Sequence, residues 1–281
     1  MKNIGIFLNP YYKEYEPIFK LLEKLYQNSK IKFYLIKNEN NIDKDFLKNI
    51  SSKDYPQLDC ILVFGGDGTI LRAKDYVLKA RVPLLGINLG KLGFLSESSL
   101  AELEKSVHDL INNRFQIQER MLLDVRLERD NNMIYTGLAL NDAVVYKGKI
   151  PKLLELTLFC NDNFVVETRC DGMIISTPTG STAYSLSAGG PILSPIMEAI
   201  IAAPLNPHVL TVRPMVFSSV DELCIKIEYK TILQLDGKNV YNLIKGDRVL
   251  ITASEEKIKF INLTSKTFYK ILRKKLHMGK K

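Results

Sequence analysis

The first third of the chain alternates apolar runs of strand length with amphipathic stretches of helical period. "KNIGIFLN" is a buried-strand pattern, and the stretch from Pro17 to Lys30 sets Ile18, Leu21, Leu22 and Leu25 on one helical face. "KIKFYLI" predicts a second strand, "DKDFLKNI" a short helix, and "LDCILVFGGDGT" a third strand with its loop. A helix carrying Ile70, Leu71, Val77 and Leu78 follows, then a fourth strand at "VPLLGINLG". This order predicts a mainly parallel sheet covered by helices, so residues 1–98 are expected to form an α/β, Rossmann-like N-terminal domain.

From about Glu119 the period changes to two. "MLLDVRLERD", "MIYTGLALNDAVVYKG" and "KLLELTLFCNDNFVVETRCDGMIIST" alternate, with Asn-Asp and Asp-Gly turns between strands. "CIKIEY", "ILQLDGKNVYNL" and "DRVLITASEEKIKFINL" continue the pattern to about Leu263. These are hairpin signatures, so residues 99–263 are expected to form a β-rich, β-sandwich-like C-terminal domain. The final "TFYKILRKKLHMG" spaces Phe268, Ile271 and Leu272 as a helix, and residues 264–281 are expected to pack back on the N-terminal domain.

Composition narrows the function. With 281 residues, 46% hydrophobic and 25% charged, the chain has the make-up of an ordinary globular protein. No run approaches the roughly 18 apolar residues of a membrane span, and "MKNIGIFLNP" lacks the cleavage pattern of a signal peptide. A cytoplasmic location is expected. The four cysteines form no C-x-x-C pair and the three histidines have no metal-ligand spacing, so a general base is expected to be a carboxylate. His208 is read as structural. The net charge of +8 arises from lysines spread along the chain, without a nucleic-acid-binding motif, so neither nucleic acid nor membrane is an expected partner.

The candidate chemistry begins at Gly65-Gly66-Asp67-Gly68-Thr69, between a strand and a helix. Glycines there permit close backbone approach, and free N–H groups at a helix start favour phosphate. A carboxylate is the misfit, with three available roles: helix N-cap, ligand for a Mg²⁺ that bridges phosphates, or acceptor of a hydroxyl proton. Thr69 can cap instead, which leaves Asp67 for chemistry. The motif is neither the dinucleotide-binding G-x-G-x-x-G nor a P-loop. It resembles the signature shared by NAD kinases, diacylglycerol and sphingosine kinases and 6-phosphofructokinases.

A second stretch chooses among these. "DGMIISTPTGSTAYSLSAGGPI", Asp171 to Ile192, resembles the central signature of NAD kinases. "GKLGFL" resembles that family's Gly-x-Leu-Gly-Phe segment, "LNDAVV" its Asn-Glu or Asn-Asp motif, "PHVLTVRP" its Pro-His…Arg-Pro loop and "QLDGK" its late Asp-Gly turn. The resemblance runs in order from Ile4 to about Leu263.

It implies an enzyme that phosphorylates the adenosine-ribose 2′-hydroxyl of NAD to make NADP, with ATP or polyphosphate as donor and a divalent metal, Mg²⁺ being expected. Asp67 is implied as proton acceptor, with donor phosphates over Gly65, Gly66, Gly68 and Thr69. Arg72, one turn along, either neutralises them or is a solvated helix residue. Asn141 and Asp142 are implied to hold the ribose and nicotinamide end, and Asp171, Lys152 and Arg169 to reach the dinucleotide. Thr182, Ala183, Tyr184, Ser185, Leu186 and Ser187 match the stretch that lines the ring pockets, with Tyr184 either stacking on a ring or serving as a core residue. Phe94 and Leu95 are implied to wall the adenine, although Leu95 replaces the aromatic of some relatives. Lys238 stands where relatives often carry an amide, which places that contact in doubt. A homodimer or homotetramer is also implied. Two alternatives stay open: a diacylglycerol-type lipid kinase, allowed by GGDGT alone, and a non-catalytic NAD sensor.

Overall fold

The computed structural model describes residues 1–36, 42–51, 53–90, 93–148, 152–263 and 267–279. Lys91 and Leu92 of the Gly-x-Leu-Gly-Phe segment lie outside the described residues, as do 264–266 and 280–281 of the C-terminal segment. Contacts divide the chain into two compact units, one of Met1–Glu119 with Ile258–Lys281 and one of Arg120–Lys257.

In the first unit, β1 (Asn3–Leu8) leads to α1 (Glu16–Asn28), β2 (Lys32–Leu35) and β3 (Leu47–Asn49). The chain then forms β4 (Cys60–Phe64), α2 (Asp67–Ala80), β5 (Leu84–Asn88), the short β6 (Ser98–Ser99) and α3 (Leu103–Ile111). The sheet order is β3-β2-β1-β4-β5 with every pairing parallel. Its central strands are covered on both faces, β4 and β5 being buried at every position, while β2 and β3 towards the edge expose Lys32, Lys48 and Asn49. Helix α2 buries Ile70, Ala73, Val77 and Ala80 at helical spacing and ends where Arg81 takes a left-handed conformation, φ 57°. Leu71 and Leu78 are only half-buried.

Two sequence expectations are revised here. "DKDFLKNI" is not a helix: Phe46 and Leu47 both enter the core, and Leu47, Lys48 and Asn49 pair with Phe33, Tyr34 and Leu35. Sheet pairing prevails over a weak helical pattern. The first compact unit also continues beyond residue 98, because α3 adds Leu103, Val107 and Leu110 to the same core.

The chain crosses to the second unit within β7 (Gln116–Arg129). It continues through β8 (Asn132–Ala139), β9 (Asp142–Tyr146), β10 (Leu154–Cys160), β11 (Asn163–Cys170) and β12 (Gly172–Ser176). After the single-turn α4 (Tyr184–Ser187) come β13 (Ala199–Leu205), β14 (Met215–Ser218), β15 (Leu223–Ile227), β16 (Thr231–Leu235), β17 (Lys238–Leu243) and β18 (Arg248–Asn262). One sheet follows β14-β13-β12-β9-β16-β17, all antiparallel. Against it lie β11, β10, β15 and β18 with β7 and β8. Leu123, Val125, Leu156 and Ile225 from this layer share a core with Val145, Met173, Ile175 and Leu233 from the first, which makes the unit a β-sandwich.

Three hairpin turns have positive φ at both central residues: Asp130-Asn131, Asn161-Asp162 and Asp236-Gly237. Asn, Asp and Gly tolerate that geometry, which matches the twist of the flanking strands. The last strand, β18, returns to the first unit, where Phe260 pairs in parallel with Leu84 of β5. Helix α5 (Phe268–Leu276) follows. The molecule is thus an α/β N-terminal part joined to a β-rich C-terminal part. Because Leu62 is fully buried in β4 between β1 and β5, Leu62→Ala is expected to cost about 3 kcal/mol of stability, read as a lowered urea midpoint.

Candidate functional site

Functional residues of the first unit gather at the carboxyl ends of β1, β4 and β5. The sheet order reverses between β1 and β4, and such a switch point leaves a crevice at the strand ends. The register Phe64↔Ile87 sets the loops after β4 and β5 side by side.

Gly66 is the N-cap of α2, and Asp67 is its first helical residue. Its carboxylate turns to the loop after β5, where Oδ2 accepts the Phe94 N–H (2.8 Å) and Oδ1 the Leu95 N–H (3.0 Å). The backbone of Gly93 passes so close that a Cβ there would overlap Asp67 Oδ1. The loop is braced in turn: Ser96 Oγ accepts from Gly93 N and from Asn88 Nδ2, and Asn88 Oδ1 accepts from Gly90 N. Asp67 keeps 30% of its side chain exposed, so the clamp leaves a face for a hydroxyl donor. The Lys275 ammonium of α5 lies 4.0 Å from Oδ2 and 4.7 Å from the centroid of the Phe94 ring.

The glycines of the loop divide in two. Gly65, at φ 156°, packs on the buried Thr69, whose hydroxyl a Cβ would overlap. Around Gly66 and Gly68, nothing among the described residues lies within 4 Å of a Cβ position. Thr69 therefore supports the turn from beneath, while Gly66 and Gly68 present open backbone at the start of α2. The Arg72 guanidinium stacks over Tyr11 at 4.6 Å.

In the second unit a second carboxylate organises a turn. Asp236, in the Asp-Gly hairpin between β16 and β17, accepts the N–H groups of Leu140 (3.0 Å), Asn141 (2.7 Å) and Asp142 (3.4 Å). Thr177 donates its hydroxyl to Leu140 O and accepts from Gly180 N, and Ser176 Oγ donates to Asn141 O. Asn141 Oδ1 is buried and has no hydrogen-bond partner among the described residues. An orphaned acceptor of this kind is expensive unless a ligand supplies the donor. Asp142 is 5% exposed, and burial together with the neighbouring Asp236 carboxylate pushes it up to about 7.

Asp171 belongs to a different group. In the β9–β12 ladder Ser176 faces Asp142, whereas Gly172 faces Tyr146. Asp171 is therefore at the far end, roughly 16 Å along the strand at 3.3 Å per residue. There it pairs with Lys147 Nζ (2.5 Å) and Asn206 Nδ2 (2.9 Å), which hold it below the usual carboxylate range, the amide bond contributing most. Arg169 is mostly exposed, 3.9 Å from Glu155, and His208 donates its backbone N–H to Arg169 O. Lys152 is exposed.

Along the central signature, Thr182, Ala183 and Leu186 are half-buried and Ser187 is exposed. The Tyr184 ring is largely exposed, so the core reading of that residue does not hold. Ser185 Oγ is buried against Gly190, without a partner among the described residues. Lys238 starts β17 beside the Asp-Gly turn and is exposed. Sequence pattern alone does not single out Asp236, Thr177 or Lys275. The first has a signal in its Asp-Gly turn, and the last is hidden in a basic run.

No group of three or more His, Cys, Asp or Glu among the described residues converges as a cation cage. That donor set fits a divalent metal carried in on phosphate oxygens, the usual habit of Mg²⁺, rather than one held by a protein cage.

A strand–glycine turn–helix with a clamped carboxylate supplies what a phosphotransferase uses, open backbone for phosphate and an acceptor for a hydroxyl proton. The family model described as ATP-NAD kinase N-terminal domain matches residues 19–115, and the ATP-NAD kinase C-terminal domain matches 140–263. The chain belongs to the NAD kinase family. It is 42% identical to the NAD kinase of Desulforamulus reducens over 233 residues, covering 82% of this chain and 81% of that one. The NAD kinase of Aquifex aeolicus is 36% identical over 282 residues, covering 99% and 100% of the two chains. Among solved structures, yeast NADH kinase complexed with NADH superposes with a TM-score of 0.89 at 26% identity, covering 100% of this chain and 89% of that one. An NAD kinase from Archaeoglobus fulgidus in complex with ATP gives 0.73 at 25% identity, covering 99% of each chain.

The state of Asp142 carries a prediction. A carboxyl kept protonated by the fold stabilises fully below its unfolded pKa, about 4, and loses that contribution as pH rises through about 7. The wild-type protein is expected to lose on the order of 2 kcal/mol between about pH 5 and 8 from this group. Asp142→Asn should flatten that part of the profile in urea titrations across pH.

Proposed function

We propose that Asp67 accepts the proton of the adenosine-ribose 2′-hydroxyl of NAD as that oxygen attacks the terminal phosphate of ATP. The activity, phosphorylation of NAD to NADP, follows from membership of the NAD kinase family. The observation that carries the role of Asp67 is its clamp: a carboxylate fixed by two N–H groups beside an open glycine turn at a helix start. Phosphoryl transfer has a loose transition state, so catalysis consists mainly of aligning the hydroxyl and holding phosphate charge.

Open backbone at Gly66 and Gly68, with the positive end of α2, suits the donor phosphates. Arg72 adds charge from the same helix. A divalent metal bound to those phosphates would supply further neutralisation, and Asp67 is the carboxylate of the glycine turn that could face it. The unpartnered Asn141 Oδ1 supports the assignment of Asn141 and Asp142 to the ribose and nicotinamide end, where hydroxyl and amide N–H groups are donors. The exposed Tyr184 ring suits stacking. Beside it, Thr182, Ala183, Leu186 and Ser187 are assigned to the ring pockets, with Ser185 buried beneath them; Phe94 and Leu95 are assigned to the adenine, and the charges of Lys152 and Arg169 to the dinucleotide.

We also infer a homodimer or homotetramer in the cytoplasm. Separation of Asp171 from Asn141 and Asp142 within one chain supports a second copy completing the dinucleotide site. Four unpaired cysteines suit a reducing compartment.

NADP formation from NAD and Mg²⁺, with ATP and polyphosphate in separate reactions, tests the reading. Asp67→Asn is expected to lower kcat by at least about 10²-fold while NAD still binds, since an amide cannot take the proton. Full turnover by that variant would remove Asp67 from its role.

A further inference from the structure

The strongest unassigned feature is the side chain that the C-terminal helix delivers to Asp67. Helix α5 is anchored by Ile271 and Leu272, both buried. Lys275 follows them by four and three residues, so it lies on the anchored side of the helix, with 32% of its side chain exposed. Its ammonium meets both members of one contact: it lies 4.0 Å from Asp67 Oδ2 and 4.7 Å from the ring of Phe94, whose N–H that same oxygen accepts. At 4.0 Å it is an electrostatic neighbour and leaves the carboxylate's acceptor capacity for a hydroxyl.

We propose that Lys275 is a positioning residue for phosphoryl transfer, acting through Asp67 and Phe94. This rests on the proposed role of Asp67. The ammonium attracts Asp67 Oδ2, the oxygen that the Phe94 N–H already holds, and it holds the Phe94 ring by a cation–π contact, so carboxylate and loop keep one mutual geometry. Turnover thereby depends on docking of α5: with the helix lifted, the clamp keeps its two N–H groups but the carboxylate loses its counter-charge. The contact is charge-based and partly exposed, so its effect is moderate.

The test uses the full-length protein with Lys275→Met, Lys275→Arg and, as a control at an exposed neighbour, Lys274→Met. Lys275→Met is expected to lower kcat about tenfold, with KM for NAD within about twofold and an unchanged melting temperature. Lys275→Arg should recover most of the loss, because a guanidinium can face both a carboxylate and a ring. Lys274→Met should behave as wild type. Wild-type kcat in Lys275→Met, or an equal loss in Lys274→Met, overturns the proposal while leaving the kinase reading intact. A loss that follows a lowered melting temperature and is not recovered by arginine also overturns it, since that is a purely structural role. Absence of NADP formation by the wild-type protein with either donor overturns both.

Discussion

A carboxylate that accepts two backbone N–H groups from a distant loop cannot move unless that loop moves. Asp67 is held this way by Phe94 and Leu95, and much of the first unit acts as the support for that contact. Parallel neighbours β4 and β5 end together, which brings a turn and a loop widely separated in sequence within hydrogen-bonding distance. Gly93 permits the approach, and Ser96 and Asn88 keep the loop in shape. Even Gly86, inside β5, contributes by its lack of a side chain, because a Cβ there would press on Ile70 and on the backbone of Leu95 and Ser96. Among the described residues the site is thus braced on its loop side and open at the face of the carboxylate and at Gly66 and Gly68.

The second unit solves a similar problem with the same chemistry. Asp236 gathers three successive N–H groups of the turn before β9, so the side chain of Asn141 is aimed by a residue on another hairpin. The difference lies in solvation. Asp67 is partly exposed and available, whereas Asp142 is buried next to Asp236 and is pushed towards neutrality. One carboxyl is open to a donor from outside, and the other is disposed to keep its own proton.

Sequence is most legible where local pattern and global fold agree. Continuous apolar runs at β1, β4 and β5 and the two-residue alternation of the sandwich lead directly to the layers. The glycine turn and its aspartate stand out because a carboxylate is out of place in a phosphate loop. Helix α3 is harder to see, although Ser99 and Glu102 form a capping box before Leu103, Val107 and Leu110, because that signal lies in the soft boundary between two periodicities. The segment of β3 carries a helical pattern, and only pairing with β2 decides its fate. Asp236 and Lys275 act on residues remote in sequence, and no spacing rule reports such a contact.

The path of the chain has a consequence for the order in which the molecule can be made. The first unit's sheet takes its last strand at Phe260, and the helix bearing Lys275 comes later still, after the whole second unit has been synthesised. A ribosome releasing this protein from its N-terminus therefore leaves the edge of β5 open at Leu84, beyond the end that β6 covers, and Asp67 without its Lys275 neighbour throughout the making of the sandwich. Domains usually fold as they emerge. Here the sheet and most of the core of the early unit come from the first 115 residues, but its clamped carboxylate acquires its full surroundings only when α5 returns to it.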